Sequence, residues 1–196
     1  VCQVQMVVSA EDLDMVKESF GGALGFMGVG IVVGGPTRAH SVRNALARVT
    51  AEADLVCVHD AVRPCLSQVW VSAVFDAAAK YGAAMLANPL HGTLKRVSAQ
   101  GEIEETVPRD GLWEAQTPQV FSRSLLQKAY EGDLSNVTDD AQLVEALGQK
   151  VHVVPGDPRN IKITSPADLA VVAAVIDSLP KPKLAGGDHP FAEAKW

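Results

Sequence analysis

Short apolar runs and longer amphipathic stretches alternate along most of the chain. Residues 4–10 (VQMVVSA) are almost continuously apolar, which suits a buried strand ending at Ser9. Residues 11–21 (EDLDMVKESFG) carry a helical pattern, with Ser9 as N-cap and Gly21 or Gly22 as its stop. A second strand is expected in GVGIVVGG (28–35). In residues 38–53 the apolar side chains Val42, Ala45, Leu46 and Val49 recur at helical spacing. A third strand (DLVCVHDA, 54–61), a helix (67–82) and a fourth strand (AAMLANPL, 83–90) follow.

Alternation of this kind predicts an α/β fold: a mostly parallel, Rossmann-like sheet with helices on both faces. Ligands of such sheets sit beyond the carboxyl ends of the strands. The pattern breaks at residues 93–110, where two extended runs flank Ala99-Gln100-Gly101 and predict a hairpin, a common arm for a partner. It then resumes with a helix over 136–148, capped by Asn136 or Thr138, and a strand over 150–156. The last helix, over 165–179, has Ser165 as cap and Pro166 at its first position. One domain is expected over 1–179, its arm at about 94–107, with 180–196, rich in Pro, Gly and charge, as a tail or linker.

Composition narrows the function. With 196 residues, 47% of them hydrophobic, the chain is long enough for one full core. Mean hydropathy is +0.11, yet no apolar run approaches the roughly 20 residues that span a bilayer. A net charge of −6 argues against a non-specific nucleic-acid binder. Cys2, Cys57 and Cys65 are odd in number and lack CxxC spacing, so they read as reduced thiols of a cytosolic protein.

Candidate chemistry lies in four places. The glycines of GGALGFMGVGIVVGG match neither GxGxxG nor GK[ST], and read as turn residues. Gly34-Gly35 end a strand before Arg38 and Ser41, where a ligand could approach the backbone closely; Ser41 is equally a helix cap and Arg38 a solvated charge. His59, Asp60 and Arg63 stand at a strand's carboxyl end, either as a site or as a capped, self-paired turn. Lys162 sits in NIKIT, read as an apolar strand end, where a lysine needs a partner or a wet pocket. His40, His91 and His152 have no spacing for a metal cage, and no nucleophilic triad can be argued.

Taken together and in order, GGPTRAHSVRNAL, VHDAVRP, GTLKRV, VPRDGLWEAQTPQVF, VTDDAQLVEALG and GDPRNIKITSPADL resemble the 2-C-methyl-D-erythritol 4-phosphate cytidylyltransferase family of non-mevalonate isoprenoid synthesis, over about residues 1–179. The resemblance implies transfer of a cytidylyl group from CTP to a polyol phosphate, with Mg²⁺, by a cytoplasmic homodimer that needs neither nucleic acid nor membrane. It implies that Asp60, Lys162 and Arg109 are catalytic, with Asp60 beside Mg²⁺. Gly35 and Ser41 would contact cytosine. Thr93 and Lys162 would hold the polyol phosphate and the triphosphate. Arg109 and Thr117 would reach the acceptor of the partner subunit, with Thr138 beside that pocket and Thr164 in the substrate-binding set. The hairpin would interlock the dimer.

Two departures bear on these expectations. The family opens with a strand and a glycine-rich loop carrying Arg, then a Pro-Lys-Gln segment; nothing here matches that unit, and the chain reads as starting after it. Gly92 stands where many members have Asp, which keeps another acceptor such as ribitol 5-phosphate as an alternative. A non-catalytic dimerising remnant is the alternative of a different class.

Overall fold

A computed structural model describes residues 1–182 of the chain; the expected tail at 180–196 lies almost wholly outside the described residues. The order is β1 (Val4–Val8), α1 (Leu13–Phe26), β2 (Val29–Val33), α2 (Arg38–Leu46), β3 (Leu55–Val58), α3 (Gln68–Tyr81) and β4 (Ala83–Pro89). Then come β5 (Leu94–Val97), β6 (Ile103–Val107), β7 (Trp113–Ser122), α4 (Arg123–Ala129), α5 (Asp140–Ala146), β8 (His152–Pro155) and α6 (Pro166–Val175), which ends in a 3-10 turn.

The central sheet has the order β3-β7-β4-β8. Strands β4 and β8 pair in parallel, while β7 runs antiparallel between β3 and β4. The sheet is therefore mixed, and β3, β4 and β8 share one direction. Successive residues of a strand point to opposite faces, and the core divides accordingly. Ala83, Met85 and Phe121 pack with Ala39, Leu46, Leu126, Ala129 and Val144 of α2, α4 and α5. Ala84, Leu86 and Val120 pack with Trp70, Val74 and Ala78 of α3 on the other face. Helices thus cover both faces, and β4 is buried along its length except at Pro89. No helix among the described residues is long and apolar enough to cross a membrane.

Local departures from the sequence reading have physical causes. Helix α1 runs through Gly21 and Gly22 because Leu24 beyond them is buried, and it ends only where Gly28 takes φ +70°. Ser9 does not cap it; its hydroxyl donates to Asp12, the N-cap residue, and accepts from the Asp12 amide. Helix α2 is capped by Thr37 rather than Ser41, and α5 by Asp139 rather than Asn136 or Thr138. Helix α2 also stops at Leu46, well short of residue 53. The NIKIT segment is not a strand. Helix α6 has the expected cap, with Ser165 and Asp168 forming a capping box.

Two pieces stand apart from the central sheet. The β5-β6 hairpin forms its own two-stranded sheet, with Gly101 at φ +85° in its turn and Val97 and Ile103 exposed. Strands β1 and β2 form a separate parallel pair. Strand β1 was expected to be buried, yet Val4 is 47% and Met6 37% exposed. The reason is a cavity of about 820 Å³ that runs between β1 and β3, lined by every residue of both strands together with Val42, Ala45, Leu46 and Phe75. No strand fills it among the described residues.

Candidate active site

The carboxyl end of β3 delivers His59 and Asp60 to the mouth of this cavity. Asp60 is held by three cations from three segments. Arg38 Nε, from the first turn of α2, donates to Oδ1 at 3.0 Å. Lys162 Nζ, from the loop before α6, donates to Oδ2 at 2.9 Å. Arg63 Nε lies 3.9 Å from Oδ2. Burial alone raises the Asp60 pKa, but hydrogen bonds from Lys162 and Arg38 outweigh it and hold the carboxyl below its ordinary range. The carboxylate is therefore ionised at neutral pH. Lys162, which lacked a visible partner in the sequence, has one here.

The backbone beneath Asp60 is braced by buried polar groups. Thr117 Oγ1 accepts from the Asp60 amide at 3.0 Å and lies 3.1 Å from His59 Nδ1. His59 Nε2 is 3.0 Å from the Arg63 carbonyl, which can only accept. Nε2 therefore carries the proton, and Nδ1 accepts from Thr117. Arg63 Nη1 donates to the Asn160 carbonyl at 2.6 Å, and Asn160 Nδ2 donates to the Thr117 carbonyl at 2.8 Å. This bracing ties β3, β7 and the loop carrying Lys162 into one unit. The Arg63 Nε and Asn160 Oδ1 atoms are buried without a hydrogen-bond partner among the described residues.

Burial lowers the His59 pKa, partly opposed by its bond to the Arg63 carbonyl. A lowered histidine pKa means that the unfolded chain takes up the proton first, so stability falls as pH drops below about 6.5 toward the folded value. His59→Gln should flatten that part of the stability–pH profile, measured by urea unfolding between pH 7 and 5. An unchanged slope would show that His59 does not titrate there.

Gly34 and Gly35 form the floor of the cavity mouth. A Cβ on Gly34 would fall 2.8 Å from Ser41 Oγ, and one on Gly35 2.5 Å from His40 Cβ, so only glycine lets the loop fold onto α2. The Ser41 hydroxyl accepts from the Gly35 amide at 3.1 Å, fixing that loop. A second cavity, of about 710 Å³, opens beyond Arg63 and Lys162 and is lined by Asn88, Gly92, Glu114, Gln116 and Thr164 among others. Asp60 and Arg38 line the first cavity, and Arg63 and Lys162 the second. The ion cluster is therefore the partition between two pockets.

The remaining residues singled out in the sequence are more dispersed. Thr164 hydrogen-bonds Asp168 at the start of α6. Thr138 is exposed and bonds Gln142 on α5. Thr93 is exposed at the foot of the hairpin. Arg109 is exposed at the other foot, where its guanidinium donates to the His91 carbonyl. Thr117 does not lie apart with Arg109; it is buried under Asp60 of the same chain.

Two contributors, Asp140 and Tyr130, are not singled out in the sequence, where Arg38 reads equally as a solvated charge. Arg38 Nη2 donates to Asp140 Oδ2 at 2.8 Å, and the Asp140 side chain is fully buried. Tyr130, just after α4, donates its hydroxyl to Asp140 Oδ1. Among the described residues there is no group of three or more His, Cys, Asp and Glu side chains able to hold a metal ion. Cys2, Cys57 and Cys65 are all free thiols.

Comparison with known proteins agrees over nearly the whole chain. The family model for 2-C-methyl-D-erythritol 4-phosphate cytidylyltransferase matches residues 1–178. The enzyme of that name from Dechloromonas aromatica is 48% identical over 147 residues, 73% of this chain and 64% of the relative. That from Syntrophus aciditrophicus is 41% identical over 178 residues, 89% of this chain and 76% of the relative. A crystal structure described as 4-diphosphocytidyl-2C-methyl-D-erythritol synthase superposes with a TM-score of 0.78 at 38% identity, covering 90% of this chain and 83% of the other. The chain thus spans about two thirds to four fifths of the length of these proteins.

Proposed function

The chain belongs to the 2-C-methyl-D-erythritol 4-phosphate cytidylyltransferase family, and from that premise we propose that its site transfers a cytidylyl group from CTP to 2-C-methyl-D-erythritol 4-phosphate and releases pyrophosphate. The observation that carries this reading is the ion cluster between two cavities. A two-substrate transfer needs one pocket for each reactant and a charged partition where they meet. The acceptor's phosphate oxygen attacks the α-phosphorus of CTP, the bond from that phosphorus to the β-phosphate oxygen breaks, and pyrophosphate leaves. No protein nucleophile is required, only positioning and cations that meet the developing charge.

In this reading the loop of Gly34 and Gly35, with Ser41, borders the cytosine. Lys162 leaves Asp60 for the phosphates. Arg63 Nε, buried and without a hydrogen-bond partner among the described residues, its nearest carboxylate oxygen being Asp60 Oδ2 at 3.9 Å, is a ready donor to a phosphate oxygen. Mg²⁺ fits the donor set: Asp60 offers a single ionised carboxylate, which suits a cation carried largely by substrate phosphates rather than by a protein cage. When bound it would neutralise phosphate charge. The protein would act in the cytoplasm as a homodimer. An isolated two-stranded hairpin is marginal in water, and the exposed Val97 and Ile103 suit packing against a second subunit.

The test is pyrophosphate release from CTP with 2-C-methyl-D-erythritol 4-phosphate or ribitol 5-phosphate, with and without chelator. Turnover only with ribitol 5-phosphate would replace the acceptor, and release with neither would favour a non-catalytic dimerising role. Gly92 lines the second cavity, which in this reading takes the acceptor, and a Cβ there would meet nothing within 4 Å, so the pocket has room for a different acceptor.

If the arm crosses, each site takes Asp60 and Lys162 from one chain and Arg109 from the other. Asp60→Ala and Arg109→Ala chains, unfolded and refolded together, should then regain about a quarter of wild-type activity. Random pairing makes about half the dimers mixed, and each mixed dimer holds one intact site of two. No recovery, with mixed dimers confirmed by native mass spectrometry, would assign Arg109 to its own subunit.

A further inference from the structure

Strand β4 carries a single polar side chain, Asn88, in an otherwise apolar run. Asn88 is 9% exposed and lines the second cavity. Its carboxamide makes no hydrogen bond among the described residues, and neither of its polar atoms is sealed off from the cavity. The neighbouring amide differs. Gln116 donates to the Asp157 carbonyl at 3.1 Å and accepts from Asn160 Nδ2 at 3.2 Å. Gly156 abuts both: a Cβ there would collide with Gln116 Oε1 and fall 3.1 Å from Asn88 Oδ1, so glycine keeps room for two carboxamides. An almost buried amide with its donors and acceptor unused costs stability, unless a ligand or water completes it.

The cavity itself indicates what would complete it. Asn88 pairs in register with Glu114 across β4 and β7, so the two side chains share one face of the sheet. Glu114 is the one carboxylate among the lining residues, while Arg63 and Lys162 border the ion cluster. Along β7, Glu114 lies three residues from Thr117, the residue under Asp60, which sets their backbones roughly 10 Å apart. A phosphate is drawn to the cations and disfavoured beside Glu114. A hydroxyl, donor and acceptor at once, matches a carboxamide, which has two donors and an acceptor. We propose that Asn88 is a specificity-determining residue of the acceptor pocket: its carboxamide hydrogen-bonds the hydroxylated end of a short polyol phosphate whose phosphate faces Arg63 and Lys162. This rests on the reading of the second cavity as the acceptor's. The acceptor is thereby held in one direction, and a site that hydrogen-bonds a substrate hydroxyl rejects analogues that lack it.

The test is titration calorimetry with 2-C-methyl-D-erythritol 4-phosphate and with ribitol 5-phosphate, in the presence of CTP and of EDTA to prevent turnover. Methyl phosphate, which has the charge without the hydroxyls, serves as a competitor. Asn88→Ala should weaken the polyol phosphate that wild type binds more tightly by about three- to tenfold, the loss of one or two neutral hydrogen bonds. It should leave competition by methyl phosphate unchanged. Its Tm should be no lower than wild type, since an unpaired amide is removed from an apolar strand. Asn88→Val, apolar and strand-forming, gives the same reading if the alanine variant does not fold. Both ligands weakened alike, with a lowered Tm, would make Asn88 a structural residue and overturn the proposal. Polyol phosphate affinity equal to wild type overturns it as well, but leaves the second cavity as the acceptor's. Wild type that binds neither polyol phosphate overturns that reading of the cavity and this proposal with it.

Discussion

Replacing Asp60 with asparagine should lower Mg²⁺-dependent pyrophosphate release by about a hundredfold or more, while the protein still folds. Groups that meet developing charge in an enclosed site contribute about 3–4 kcal/mol, and Asn keeps the shape of Asp without its charge. The carboxylate also counters three cations, so folding stability at pH 7 should fall as well, by about 1–3 kcal/mol. The two losses separate by pH and by temperature. A carboxyl whose folded pKa is lowered contributes stability that is present above the unfolded value, near 3.8, and lost as pH falls through the folded one. Wild type and variant should therefore differ in thermal unfolding at pH 7 and converge in strong acid. Activity measured well below the unfolding transition should remain depressed. Activity that merely follows the folded fraction would reduce Asp60 to a structural role.

Arg38→Met should be the most destabilising single change in the site, costing about 3 kcal/mol. That is the low end for breaking a buried pair, since Arg38 is a third exposed. For a chain of this size it corresponds to a drop of about 6–12 °C in Tm. The cause is the uncompensated charge of Asp140, not lost packing, so a second change should rescue the first. Arg38→Met with Asp140→Leu should recover most of the lost Tm in a thermal melt, since an apolar pair needs no counter-charge. Failure of the double variant to recover would place the stabilising contribution in the Arg38–Asp60 contact instead.

The regular elements were legible because their patterns are local. Residues 67–82 carry cap, apolar stripe and stop together, and α3 forms there with its Ser67 cap and Gly82 end as the pattern requires. Strand β7 was harder to see as a strand. Gln116, Thr117 and Gln119 interrupt its apolar pattern, yet all are buried. Each is satisfied by a distant partner: Gln119 by Asp139 and the Ala141 amide, Gln116 by the Asp157 carbonyl and Asn160. Such satisfaction spans residues far apart and leaves no local signature. The same limit hid the role of Arg38, whose partners are 22 and 102 positions away. By itself it was as plausible as a solvated charge. Asp60 and Lys162 stood out because each was an ionised group beside an apolar segment.

The cavity between β1 and β3 has a consequence for how the molecule comes apart. Apart from chain continuity, no backbone–backbone hydrogen bond joins residues 1–36 to later segments among the described residues; the links are side-chain bonds such as Gln3 to the Arg48 carbonyl and Asn44 to the Val33 carbonyl. Cooperativity follows continuous ladders and shared cores, so the β1–α1–β2 unit should open as its own foldon. Deuterium should enter residues 4–33 well before β4 and β7, whose side chains fill both halves of the core. A nucleotide resting on Gly35 at one rim and Asp60 at the other would belong to both foldons at once. Its binding would fuse two openings into one, and the slowing of exchange across β1 and α1 together would report the affinity of the nucleotide.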